Sequence, residues 1–273
     1  MSTDAVPDDR LAVFYVEPIG GHRGMHYYDF ELCGALQELG IEVTLLTCDE
    51  TRSTSIPGSI QVRFPFRGIY GDAPKVVRGV RYLRALIDIG LSMRQRRVPL
   101  AHFHFFHFPP VDYVYLKWIR LLGARVVLTV HDVVPFDIAR AGLSWLGRLY
   151  HEADRIIIHA EANRGAIVDK FGVRSSLIRV IPMGPYLGFA DANRLPASLA
   201  KGHLGVEPHV PVILFFGQVK KVKGLQYLIR AFGQALSKCP TARLVIAGPV
   251  WKDSFASYAD LIHDLDLDDA VLT

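Results

Sequence analysis

The chain has 273 residues, long enough for one large domain or two ordinary ones. Half of its residues are hydrophobic and 21% are charged, which excludes disorder and fibrous architectures. The 31 basic and 27 acidic groups leave a net charge of only +4, so the balance does not point to nucleic acid.

Residues Met1–Asp9 are polar and acidic, and no uninterrupted apolar stretch reaches the ~18 residues of a spanning helix, so neither a secretory signal nor a membrane span is predicted. Three scattered cysteines (Cys33, Cys48, Cys239) match no disulfide framework and no zinc spacing, and a cytoplasmic setting is expected. Strands are predicted at Leu11–Glu17, Ile41–Thr47, Ile60–Phe64, Leu100–Phe106, Arg125–Val130, Arg155–His159 and Ile178–Ile181. A second series follows at Pro211–Phe216, Arg243–Ala247 and Ala270–Thr273. Helical periodicity fills the gaps at Met25–Leu39, Pro74–Arg97, Val111–Leu122, Leu143–Glu152, Glu161–Phe171, Leu225–Ser237 and Ser254–Leu265. Runs such as Val126-Val127-Leu128 are apolar on both faces, as in parallel strands covered by helices on each side. Alternating strands and helices predict an α/β doubly wound fold. The rhythm breaks in a Pro- and Gly-rich stretch, giving a domain at 1–185, a linker at 186–210 and a second, short domain at 211–273.

Four places carry candidate chemistry. Gly20, Gly21 and Gly24 lie between the first strand and first helix, where glycines serve either a phosphate-approaching loop or a plain turn. Their spacing is not the dinucleotide fingerprint, although Asp49 closes the second strand where a ribose-binding acid would sit. His102 and His104 alternate onto one face of a strand and His107 follows in the loop; they read as cleft-lining groups, as satisfied core histidines or as metal ligands. His131 and Asp132 stand at the carboxyl end of a strand, the usual ligand side of an open α/β sheet, and read as a site or as ordinary loop residues. Gln218, Lys220, Lys221, Lys223 and Gly224 lead from a strand into a helix, an arrangement suited to a diphosphate or simply to a solvated charge run. Val219 and Val222, interleaved among the lysines, argue against a random solvent loop. The basic amphipathic helix 74–97 fits peripheral contact with an anionic membrane or a core helix with a basic outer face.

Taken in order, these motifs resemble the retaining family 4 glycosyltransferases of the GT-B fold. The resemblance rests on the glycine loop, Thr129-Val130-His131-Asp132, the segment Ala153–Ala162, Val180–Gly184, Phe216-Gly217 with Lys223-Gly224, and Arg243–Pro249. It implies two Rossmann-like domains, the second incomplete, with a nucleotide-diphosphate sugar as donor and a saccharide or lipid-linked acceptor, and no cofactor or catalytic metal. Polysaccharide or glycolipid assembly is the setting it implies. On this resemblance Lys223 holds the diphosphate with Gln218, Lys220 and Gly224, while Gly20, Gly21 and Gly24 approach phosphate or acceptor. His131 orients the donor sugar, and His104, His107 and Asp132 line the cleft.

Three departures stand out against the family pattern. Gln218 occupies the place of an arginine, Met183 that of a His or Asn, and the family's glutamate pair lies beyond the last residue. The competing readings are a non-catalytic or split-subunit protein and an NAD-dependent oxidoreductase or epimerase.

Overall fold

The computed structural model describes residues 11–23, 25–51, 60–104, 109–135, 140–185, 195–251 and 254–273. The chain divides into two compact units, Met1–Ala190 and Asp191–Thr273.

The first unit is built on seven parallel strands, β1 (Ala12–Glu17), β2 (Glu42–Thr47), β3 (Gln61–Arg63), β4 (Leu100–Phe103), β5 (Arg125–Val130), β6 (Arg155–Ile158) and β7 (Ile178–Val180). Their order in the sheet is β3-β2-β1-β4-β5-β6-β7, so the direction of winding reverses between β1 and β4. Helices α1 (His26–Glu38), α2 (Lys75–Arg96), α3 (Pro109–Leu121), α4 (Arg140–His151) and α5 (Glu161–Phe171) form the connections.

The two-faced apolar strands have the predicted consequence, a core on each side of the sheet. Alternate residues of β1 part ways: Phe14 and Val16 enter the larger core with Leu86, Ile89, Met93, Leu116, Ile119 and Tyr150, while Tyr15 joins Phe30, Cys33, Val43 and Leu45 beneath α1. Helix α3 begins two residues earlier than its apolar period indicated, because Pro109 and Pro110 fit the first turn, where a backbone N–H has no partner to lose. Strand β4 ends at Phe103 rather than Phe106, and residues 105–108 lie outside the described set.

The second unit contains α6 (Ala197–His203), β8 (Val212–Phe216), α7 (Leu225–Leu236), β9 (Arg243–Ala247), α8 (Ala256–Asp264) and β10 (Val271–Leu272). Its three parallel strands run in the order β10-β9-β8. One face is packed by Ile229 and Phe232 of α7 and Tyr258 and Ile262 of α8. Helix α6 was not foreseen. It is a short element, and Lys201 in its last turn donates to the carbonyls of Pro208 (2.8 Å) and Val210 (2.7 Å), tying the segment after it to the helix.

Candidate functional site

Three strands of the first unit are each followed at once by a histidine: His104 after β4, His131 after β5 and His159 after β6. Glu17 is the last residue of β1. Parallel pairing therefore delivers these groups to one end of the sheet, at the place where the winding reverses. Ligands of open α/β sheets bind at such a switch point.

The chemistry is concentrated on His104, only 2% exposed. Its Nδ1 lies 2.6 Å from Glu17 Oε2 and 2.8 Å from Asp29 Oδ1, both acids being buried. Burial alone would push the imidazole pKa down, but the charges of Glu17 and Asp29 outweigh it and hold the pKa at about 9. Burial and the Glu17 charge raise the Asp29 carboxyl to about 7, against the pull of His104. With His104 doubly protonated, Nδ1–H points to the acids and Nε2–H donates to the facing Nε2 of His131. His131 is therefore neutral and carries its proton on Nδ1; burial and the adjacent His104 charge lower its pKa to about 3. Tyr28 of α1 stacks on His104 (centroids 4.7 Å apart, 25° between planes) and meets His131 edge-on. His159 packs against His131 at 4.6 Å and is oriented by its Nδ1 contact with the Ile181 carbonyl (2.8 Å).

Glu17, Asp29 and His104 are also the types that hold metals, and their ligand atoms are mutually close. Ligands of one ion at ~2.0–2.2 Å stand about 3 Å or more from each other. At 2.6 and 2.8 Å the His104 contacts are those of shared protons.

The glycine loop lies directly above this cluster. Glu17 Oε1 accepts from the N–H groups of Ile19 (2.6 Å) and Gly20 (3.0 Å), and Thr51 Oγ1 accepts from that of Gly21 (3.0 Å). A Cβ at Gly20 would meet Thr51 Oγ1 at 2.1 Å, and one at Gly21 the Glu50 carbonyl at 1.9 Å. Close approach to the 47–51 segment thus explains both glycines, and their N–H groups are engaged within the protein. Gly24 and His107 lie outside the described residues. Asp132 is exposed beside His131, and its charge adds to burial in raising the Tyr150 phenol. His102 is 5% exposed and contacts Thr129 Oγ1 at 2.8 Å, a satisfied core histidine that burial keeps neutral, with a pKa of about 3.

The lysine segment belongs to the second unit and is an ordered strand-to-helix turn. Val219 is buried, donates to the Pro249 carbonyl (2.9 Å) and accepts from Trp251 (3.1 Å), which pins the turn to the segment after β9. Val222 is 62% exposed, so only one of the two interleaved valines anchors the turn. Lys220 places its ammonium over the Trp251 ring at 5.2 Å. Lys221–Lys223 form one 3-10 turn, and Gly224 closes it in the left-handed region (φ 73°) at the start of α7. Lys223 is exposed and Gln218 partly so.

Glu17, Asp29, Tyr28 and His159 were not among the candidates read from sequence. Glu17 did leave a signal, a carboxylate ending an otherwise apolar strand three residues before a glycine turn. Asp29 left none, because an acid in the first turn of a helix reads as a solvent-facing charge.

Known proteins resemble this chain in sequence and in fold. The sequence profile of glycosyltransferase family 4 matches residues 22–185. A D-inositol 3-phosphate glycosyltransferase of Kineococcus radiotolerans is 27% identical over 92% of this chain and 62% of its own length. One of Gordonia bronchialis is 24% identical over 92% of this chain and 59% of its own. The chain thus spans about six-tenths of the length of these curated relatives. Among solved structures, Anabaena HepE in complex with UDP superposes with a TM-score of 0.70 at 16% identity, covering 96% of this chain and 68% of that one. Sucrose-phosphate synthase of Thermosynechococcus elongatus gives 0.70 at 17%, covering 96% and 69%. These likenesses show the GT-B fold. With the family profile covering more than half of the residues, the chain belongs to glycosyltransferase family 4.

Proposed function

We propose that this protein transfers a sugar from a nucleoside-diphosphate sugar to an acceptor with retention of configuration, without a catalytic metal. The observation that carries the reading is the pinned turn Gly217–Gly224. Lys220, Lys221 and Lys223 stand in this turn directly before the N-terminus of α7, a combination suited to the charge of a leaving diphosphate. Anabaena HepE, of the same fold, was solved with UDP and with UDP-glucose, which supports a uridine nucleotide as the first donor to test.

In this reading Lys223, exposed and at the end of the turn, takes the diphosphate charge. Lys220 is held in place by Trp251 and assists it. Gln218 offers a neutral amide where the family carries a guanidinium, so more of the charge falls on the lysines. His131 contributes as a neutral imidazole in one fixed tautomer. Its Nε2 is engaged by His104, which fixes the proton on Nδ1 and so sets the face that His131 turns to the donor sugar. The curated relatives are named for an inositol phosphate acceptor, which makes a phosphorylated polyol the first acceptor to try.

The test is turnover of the protein in its native length with a panel of UDP-, GDP- and ADP-sugars. Lys223→Ala is expected to lower kcat by ~10²-fold or more, the scale of removing one preorganised charge-stabilising donor. Unchanged turnover in that variant removes the lysine turn from the donor site. Stabilisation by NAD and not by any nucleotide sugar would favour the oxidoreductase reading instead.

A further inference from the structure

Helix α2 has a second apolar face that the fold leaves uncovered. Its inner face is buried through Tyr82, Ala85, Leu86, Ile89, Gly90 and Met93. Beside that face, Val76, Val80, Leu83, Ile87 and Leu91 follow one another in steps of four, three, four and four residues, which places them in one row. All five are exposed, by 78, 50, 47, 51 and 47%. Isolated apolar residues on a surface need no explanation, but a continuous row over four turns does.

The charges around the row decide what it faces. From Lys75 to Arg97 the chain carries seven cations, Lys75, Arg78, Arg81, Arg84, Arg94, Arg96 and Arg97, against one acid, Asp88. Arg81 is partly committed, donating to the Gly68 carbonyl at 2.8 Å. At the N-terminal end of the row a pocket of about 550 Å³ opens between Ile69, Tyr70, Lys75, Arg78, Leu83 and Val111. Leu83 belongs to both row and pocket, and the Arg78 Nε beside it is buried without a hydrogen-bond acceptor among the described residues. The pocket therefore offers cations and an apolar wall to one molecule. Since α2 precedes β4 in a parallel sheet, its N-terminus lies at the same end of the sheet as His104 and His131. No helix among the described residues is long and apolar enough to cross a membrane, so any lipid contact is with a surface.

We propose that α2 docks this protein onto an anionic lipid bilayer, with the Val76–Leu91 row entering the interface and the Lys75–Arg78 pocket taking a lipid phosphate. A protein partner covering so basic a helix would have to neutralise its charges in a desolvated contact, whereas an anionic bilayer meets them with mobile lipid charges while its acyl region receives the apolar row. The inference does not depend on the transferase reading, because binding is measured without turnover.

The experiment is vesicle flotation of the intact protein with neutral phosphatidylcholine vesicles and with vesicles containing about a third phosphatidylserine. Binding to the anionic vesicles is expected to exceed that to neutral ones by at least ~10-fold and to fall as salt is raised. V80N/I87N, which changes only exposed side chains, is expected to lower anionic-vesicle binding ~10-fold with an unchanged melting temperature. R84E/R94E is expected to abolish the preference for anionic lipid. Equal binding to both vesicle types, or full binding by both double variants, overturns the proposal. So does a dimer in sedimentation that V80N/I87N converts to monomer, because the row would then face a second copy.

Discussion

At the scale of single residues, the decisive group is a histidine held charged where burial alone would neutralise it. His104 is faced by Glu17 from β1, Asp29 and Tyr28 from α1, and His131 from beyond β5. Its pKa in the folded protein, about 9, exceeds the ordinary 6.5. The folded state therefore binds more protons than the unfolded one between those values, and stability falls as pH rises through that window, by up to ~1.4 kcal/mol per pH unit for one proton. His102 and His131 act in the opposite sense and lower down. Their depressed values, about 3, make stability increase with pH up to about 6.5, partly offset by Asp29, whose raised carboxyl adds a decline up to about 7. Urea unfolding followed from pH 6.5 to 9.5 is expected to show the alkaline decline. In Asp29→Asn one of the two charges supporting His104 is gone, so the decline is expected to end at lower pH; an unchanged profile would separate Asp29 from His104. Only part of this centre was legible in the sequence. His104 stood out beside His102 on one face of a predicted strand and His131 at the end of another, whereas Asp29 matters only because α1 folds back over the sheet, and no local pattern encodes that.

At the scale of elements, the glycines show how closely the layers approach. Gly90 sits inside α2 against α3, and a Cβ there would come within 2.3 Å of the Trp118 ring. Alanine is better than glycine in a helix by ~1 kcal/mol, but overpacking a closed contact costs about 1–3 kcal/mol. The ring cannot move aside without opening the core it borders, so Gly90→Ala is expected to destabilise the first unit, by a net of up to ~2 kcal/mol in denaturant titration. Stabilisation instead would mean that α2 and α3 are more loosely joined than described. In the second unit Gly248 (φ 146°) brings the segment after β9 against the Gly217 carbonyl, only 2.0 Å from where a Cβ would lie. Gly248→Ala is therefore expected to displace the lysine turn, weakening nucleotide-sugar binding by ~10-fold or more in calorimetry while the first unit melts as before. The strands themselves were largely readable from the apolar runs, and β1, β2, β5, β6 and β9 stand within two residues of their predicted bounds. Helix α6 was not, because seven residues around Gly202 carry no apolar period; its position is fixed by Lys201 and the carbonyls after it.

At the scale of the whole molecule, the two units should not share one stability. The first encloses a seven-stranded sheet between two cores. Among the described residues the second has three strands, and β8 stands at the edge of their sheet with Leu214 and Phe216 exposed by 58 and 83%. An apolar edge strand of this kind contributes backbone hydrogen bonds on one side only and leaves its side chains in water. A unit of 191–273 with a single packed face buries a smaller fraction of its apolar surface than the first, and such regions open with lower free energy. Hydrogen exchange on this chain is expected to protect the amides of β1, β4, β5 and β6 at least ~100-fold more than those of β8, and heating is expected to give two transitions, the lower one assigned to the second unit. A single transition with uniform protection would show instead that the units unfold together. A nucleotide sugar that binds the lysine turn acts on the weaker unit, so saturating donor should raise the lower transition and leave the upper one in place, since ligand stabilises only the state that binds it.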